Sequence, residues 1–493
     1  MALFYGFRGI ESIAIGFYEL VSSDDHLAEM QHPQDNGLIL LSMRIRLLAL
    51  MALLAFPLGA VEQFTLVEAV RRAVARNPGL QAADAQVERA RRERSEVQAS
   101  RFPRFEAGSS FTRGDSPVYA FGSLLDQRNF GQANFDIGTL NHPGYVTNFK
   151  SYLQVGVPLF TGFEIQSAQK MAELGLSQAE SAATGARQDM RLGVLEAGLQ
   201  TLQAQELRNM LDERIRASQE EIQSAERLRA KGLVLGSDFF AAQAVLSGLQ
   251  AWRVQADKMA EAGRDSLAIL VGLSPAGFQL RGTLRAGGPA LPSENELRGM
   301  ARQNRSDLRS ARLQVQQSEV ALFQEKSTIL PRVDAMAQAE TNTENFSSNP
   351  SSRLLMVRAR WALGDPAYTA RRKKAAAAFR AGRQQQEALE EKVQIEILQA
   401  LRRYEGARDA LPLLEGTAEQ ARKSLDLFRP LYREGRQSIL DVLRAEEALA
   451  RAESLRLETL AQLHIQRAKT LAAAGILDEG ALGALSAALE KPR

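Results

Sequence analysis

The chain has 493 residues, with 61 lysines and arginines against 58 acids, four histidines and no cysteine. The missing thiols exclude disulfide scaffolds, cysteine-ligated zinc or iron–sulfur centres, thiol nucleophiles and a cysteine for acyl anchoring. A formal charge of +3, evenly spread, is too small to suggest a nucleic-acid surface.

The first feature along the chain is an apolar run. From Met43 it reads MRIRLLALMALLAFPLGA, with two arginines, about 12 apolar residues, a break at Pro57 and small residues at Gly59 and Ala60. This is the layout of a secretory signal peptide, too short and too proline-broken to span a membrane. Because such peptides begin a chain, residues 1–42 are expected to be a mis-assigned upstream extension, 43–60 the signal peptide, and Val61 the first mature residue. Residues 1–60 carry three arginines and six acids, so the remainder has a charge of +6 and retains only His142 and His464. Two distant histidines are a poor basis for a metal cluster or a triad, and no P-loop or GxSxG is present. The expectation is a protein that is not an enzyme and holds no cofactor or metal.

The rest of the chain repeats itself. FTLVEAVRRAVARNPGLQAADAQVERA, running on to RFPRFEA, lies over PSENELRGMARQNRSDLRSARLQVQQSE, running on to ILPRVDA, at an offset of 228 that pairs Pro103 with Pro331 and Arg104 with Arg332. Two S/T-x-x-E capping boxes, Thr65 with Glu68 and Ser293 with Glu296, fall at the same offset. Further on the offset is 203, pairing Gly232 with Gly435, Asp238 with Asp441 and Gly272 with Gly475, so the first copy carries 25 extra residues between about 112 and 151. The plan is a first repeat over 61–275, a linker over 276–291, a second repeat over 292–476 and a tail over 477–493.

Each copy reads as helix, strand, loop, strand and two very long helices. No proline occurs between Pro158 and Pro275, which permits helices over 164–230 and 238–272. Leu192, Leu195, Leu199, Leu202, Leu207, Leu211 and Ile215 form a narrow coiled-coil stripe. The second copy has the counterparts at 366–430 and 439–474, with Pro412 and Pro430 expected to kink or interrupt the first of these. Period-two alternation marks strands at about 104–112, 152–160, 333–340 and 354–363, the length of tilted membrane-barrel strands. Soluble half-buried strands alternate in the same way, but four strands are too few to close a barrel, so in a membrane several chains must pool them.

In TLVEAVRRAVARNPGLQAA, VGVPLFTGFEIQSAQ and LYREGRQSILDVLRAEEALARAE, over nearly all of 62–476, the sequence resembles the TolC family of outer-membrane efflux channels. The resemblance implies a mainly α fold with a small β part. Three chains would form one 12-stranded barrel, four strands from each, and a helical tunnel across the periplasm. It implies a passive exit duct working with a periplasmic adaptor and an inner-membrane pump or ABC exporter, anchored in outer-membrane lipid by the barrel. The competing reading is a periplasmic coiled-coil adaptor or scaffold; adaptors carry compact lipoyl-like and barrel domains, whereas here strands occur only as two separated pairs.

The helix turns hold the candidate site. In RLRAKGLVLGSD, Gly232 ends one helix and Ser237 or Asp238 helps to start the next; in YREGRQSILD, Gly435 is the stop, with Ser438 and Asp441 as a capping box. The resemblance implies that these turns form the periplasmic tip. Gly232, Leu233, Ser237, Gly435 and Ser438 would lie where the adaptor docks, and Asp238, Tyr432, Gln437, Asp441 and Arg444 at the aperture. Two positions depart from the family pattern: Gln437 stands for an arginine and Arg444 for an acid. Asp441 and Arg444 share a helix face and are able to pair, an exposed contact worth about 0.3–0.5 kcal/mol.

Overall fold

Helix starts and stops written into the sequence set out the architecture, in a computed structural model that describes residues 62–345 and 351–489. The expected upstream extension, the signal peptide and the end of the tail lie outside the described residues. The first half runs β1 (Glu62–Phe64), α1 (Leu66–Arg76), α2 (Pro78–Ala99), β2 (Arg104–Gly114), α3 (Pro117–Asp126), α4 (Ile137–Asn141), β3 (Val146–Phe160), α5 (Glu164–Ala230) and α6 (Gly236–Val271). After β4 (Phe278–Leu280) come α7 (Glu294–Asn304), α8 (Ser306–Ser327), β5 (Arg332–Thr343), β6 (Ser351–Arg360), α9 (Tyr368–Arg433), α10 (Ile439–Ala473) and α11 (Glu479–Leu489).

The halves match in length as well as in order. α1 and α7 have 11 residues each, α2 and α8 have 22 each, α5 and α9 have 67 and 66, and α6 and α10 have 36 and 35. Both expected capping boxes form: the Thr65 and Ser293 hydroxyls accept from the amides of Glu68 and Glu296, whose carboxylates accept from the cap amides. The single helix expected at the head of each copy is two helices. Asn77 ends α1 in extended geometry and caps α2 by accepting from the Gly79 amide at 2.8 Å, with Pro78 at the first helical position.

Three further expectations are corrected. α9 is continuous through Pro412 and Pro430. Both prolines lie on its exposed side, as do Arg408 and Asp426, whose carbonyls lose their helical partners, so water is available to satisfy them. The linker contains β4, which pairs in parallel with β1 through Glu62↔Phe278 to Phe64↔Leu280. The tail contains α11, whose Leu482, Leu485 and Leu489 join the largest core cluster.

The four long strands, two from each half, form one antiparallel sheet in the order β2-β3-β5-β6. β3 begins at Val146, six residues before the expected start, because its ladder with β2 continues from Gly156 to Val146 through polar residues that break the apolar alternation. β6 ends at Arg360 opposite Arg332, because the preceding Pro331 has no amide to extend the ladder. Trp361 instead donates its indole N–H to the Ile329 carbonyl at 2.8 Å.

The register sorts the side chains onto two faces. One face carries the rows Phe105–Val155–Ala337–Leu355, Ala107–Leu153–Ala339 and Val157–Ala335–Val357, of which Phe105, Leu153, Leu355 and Val357 are exposed. The other carries Glu106, Gln154, Gln338, Tyr152, Glu340 and Lys150, interrupted only near the helices and on β6 by Met336, Met356 and Leu354, with Lys150 Nζ 2.8 Å from Glu340 and the Tyr152 hydroxyl donating to Glu106 at 2.8 Å. An apolar outside and a polar inside is the pattern of a membrane barrel wall.

Below the sheet α2, α5, α8 and α9 pack side by side. A belt follows in which α1, α5, α6, α10, α11 and the β1–β4 pair enclose Val70, Leu195, Leu199, Leu267 and Leu482. Beyond the belt, among the described residues, the hairpins α5–α6 and α9–α10 continue alone, packed on each other through α10, with Leu211, Ile215, Leu249 and Ala450 between them.

Candidate functional site

The far end of the two hairpins is built by their turns. After α5, Gly232 adopts a φ of 74°, its amide donates to Arg229 at 2.8 Å, and the Leu233 amide donates to Leu228 at 3.0 Å. After α9, Gly435 adopts a φ of 72°, with Gly435 donating to Tyr432 at 2.9 Å and Arg436 to Leu431 at 2.8 Å. Both are left-handed C-caps in which a Cβ would be strained.

The helix starts differ from the expected ones. Leu235 is the cap residue of α6 and makes no side-chain cap bond, so neither Ser237 nor Asp238 caps; Asp238 lies in the first turn, 3.4 Å from the Ser237 hydroxyl. Ser438 does cap α10, accepting from Leu440 at 3.1 Å and Asp441 at 3.4 Å. The reciprocal half of that box is missing, since Asp441 is one methylene shorter than the glutamates that close the other two boxes. Asp441 and Arg444 make no ion pair: Asp441 is half-buried and Arg444 reaches into solvent.

The structure brings the two turns together. Ile222, Ala225, Phe239, Ala242, Leu425, Tyr432, Ile439, Val442, Leu443 and Leu449 form one apolar cluster joining all four helices. The Arg229 guanidinium lies over the Phe239 ring at 4.3 Å. Tyr432 is buried here with its hydroxyl unpartnered, and burial, together with the Glu221 carboxylate, holds its pKa above the phenolic range. Outside the cluster, Leu233 and Leu235 are 71% and 70% exposed, and Phe240, Gln437 and Arg436 are exposed with them.

A buried ionic group just above the tip was missed by sequence reasoning. Glu446 of α10 is fully buried, bonded to Arg429 of α9 and 3.6 Å from Arg214 of α5; Glu221 of α5 lies 3.9 Å from Arg429. Burial outweighs the two guanidiniums and raises the Glu446 pKa. The signal was available: Glu446 interrupts the apolar stripe Val442, Leu443, Leu449, Ala450. Such a group pins three helices at one register, since removing one partner leaves a buried charge uncompensated.

The model of the outer membrane efflux protein family matches residues 69–273 and 297–475, one segment in each half and both ending beyond the hairpins just described. The chain belongs to that family. It is an outer-membrane efflux channel, and the adaptor reading is not favoured. The fold agrees with that of the CmeC outer membrane channel of Campylobacter jejuni, with a TM-score of 0.72 and 15% identity over 86% of this chain and 90% of CmeC. The VceC outer membrane protein of Vibrio cholerae superimposes with a TM-score of 0.70 and 17% identity over 83% of this chain and 96% of VceC. The open-state MtrE outer membrane channel of Neisseria gonorrhoeae gives 0.70 and 17% over 84% of this chain and 89% of MtrE. No curated protein matches the chain in sequence. Members of this family are channels.

Proposed function

We propose that three copies of this chain form a passive exit duct across the outer membrane and the periplasm. The open sheet carries the reading. Its apolar face is exposed and its outer strands β2 and β6 each have one unpaired edge. In hydrocarbon each unpaired backbone group costs several kcal/mol, and four strands are too few to close on themselves. Pairing β6 of one copy with β2 of the next removes every edge once three copies have joined, with the apolar face toward lipid and the Lys150–Glu340 face toward the lumen. The helices below continue the wall as a tunnel, α5 alone reaching about 100 Å at 1.5 Å per residue.

In this reading the turn end is the periplasmic tip. Asp238, Tyr432, Gln437, Asp441 and Arg444 form or support its aperture. The turns at Gly232, Leu233, Ser237, Gly435 and Ser438, extended by the exposed Leu235 and Phe240, receive a periplasmic adaptor that connects an inner-membrane pump or ABC exporter. The aperture carries one acidic ring, Asp441, partly offset by the exposed Arg444. Fractionation of cells expressing the full chain tests the assembly: the protein is expected in outer membranes as a trimer resistant to SDS or stable on a sizing column. A soluble periplasmic monomer overturns it.

A further inference from the structure

The residues inserted between β2 and β3 do not project away from the sheet. α3 buries Ala120, Ser123 and Gln127, one face of the helix and its C-cap, while its opposite face exposes Val118 (85%), Phe121 (37%) and Leu125 (48%). Gln127 is 4% exposed, and its amide donates to the Thr147 carbonyl at 2.7 Å and to Asn148 Oδ1 at 3.1 Å. Asn148 donates to Asn342 at 2.9 Å, and Asn342 to Glu340 at 3.1 Å, the carboxylate that holds Lys150. All of these lie on the polar face of the sheet. Arg128, in the left-handed region at a φ of 56°, then reaches past β5 to donate to the Ser351 carbonyl of β6 at 3.0 Å. The segment thus crosses the polar face at the end remote from the helices.

We propose that this segment is an outer gate: three copies of α3 line the outer mouth of the lumen and bring their Val118–Phe121–Leu125 stripes together as a hydrophobic constriction. The proposal rests on the trimeric barrel, in which the polar face is the lumen wall. Twelve strands about 4.8 Å apart and tilted by about 40° set a diameter of about 24 Å between backbones, and the inward side chains narrow the clear bore below that. Three helices of about 10 Å diameter span about 22 Å, enough to cover the mouth. An apolar ring of that tightness opposes water and ions by dewetting. The Gln127–Asn148–Asn342 ladder is the attachment that holds each helix in the bore, and it belongs to this chain alone, so the gate needs no partner protein to be in place.

The absence of cysteine makes a clean test. Gln154→Cys places a single thiol on the lumen face below the proposed gate. Cells expressing the full-length protein are treated from outside with a maleimide too bulky for porins. Labelling is expected to be slow, and at least tenfold faster when Val118→Ser and Leu125→Ser are added; Phe121 is kept because its ring packs on Phe130 within the insertion. Leu125→Cys alone is expected to form an oxidised dimer between neighbouring subunits. A trimer whose Gln154→Cys labels at the same rate with either stripe, and whose Leu125→Cys does not cross-link, overturns the gate while leaving the channel. A chain that is not trimeric on the sizing column overturns both.

Discussion

His464 is the buried histidine of α10. Its Nε2–H donates to the Arg285 carbonyl at 2.7 Å, and its Nδ1 has no partner. Burial, reinforced by the Arg467 guanidinium, lowers its pKa below 6.5 despite the Arg285 contact. The folded chain therefore binds this proton less readily than the unfolded chain. Its contribution is complete above the ordinary imidazole range and is lost as pH falls from there toward the lower folded value, at up to about 1.4 kcal/mol per pH unit. His464→Gln keeps a donor for Arg285 without the titration. The variant is expected to lose much less melting temperature between pH 7.5 and 5.5 than the parent, and an equal loss in both removes His464 as the cause. At the tip, Asp441 is worth about 0.3–1 kcal/mol as an acid in the first turn of α10. Asp441→Ala is therefore expected to leave stability nearly intact while reducing cation preference and divalent block in single-channel recordings. Unchanged conductance and block would reduce Asp441 to a helix-start residue.

Among the elements, α9 is the one whose sequence and structure pull apart. An interior proline costs about 3 kcal/mol in a helix relative to alanine, yet Pro412 and Pro430 sit in a continuous helix of 66 residues. They are tolerated because they lie on the solvent side, while Leu411, Ala418, Leu425 and Tyr432 keep the other side packed. Pro412→Ala and Pro430→Ala are each expected to stabilise the protein, by up to about 2 kcal/mol once the freer unfolded chain is counted. The denaturant midpoint measures this; a midpoint that falls would show that the proline conformation is required. The caps follow a simpler rule. A Glu three residues after the cap closes the box at Thr65 and Ser293, while the shorter Asp441 leaves it half made.

At the scale of the whole molecule, the chain is two matched halves in contact from the sheet to the tip. They meet in the sheet, where β3 of the first pairs with β5 of the second, and at the tip, where both hairpins share the cluster around Phe239 and Tyr432. Between these points the β1–β4 pair and α11 close the belt. The single chain is left with two open sheet edges and an exposed apolar wall, so its description is complete only as a closed assembly. The trimer expected in outer membranes and the slow labelling of the lumen thiol both belong to that scale; the gate can fail alone, whereas loss of the trimer removes both.

Much of this was legible in the residues themselves. The long helices, the turn glycines, the alternating strands and the repeat at offsets of 228 and 203 depend on local rules of period, capping and backbone freedom, which a sequence states directly. The tertiary structure alone decided what depends on distant partners. β4, with three residues, is too short to announce itself, and it and α11 are held in place because β1 and the belt receive them. The prolines of α9 are harmless only because of the side on which they fall. Asp441 and Arg444 stand apart because the shared helix face leaves Arg444 free to extend into water. Glu446 has its charge met by Arg214 and Arg429, from helices far away in sequence. The insertion after β2 reads as a surface loop until Gln127 finds Asn148 on the inner face, because which side of a sheet a segment folds over is set by its contacts and not by its own residues.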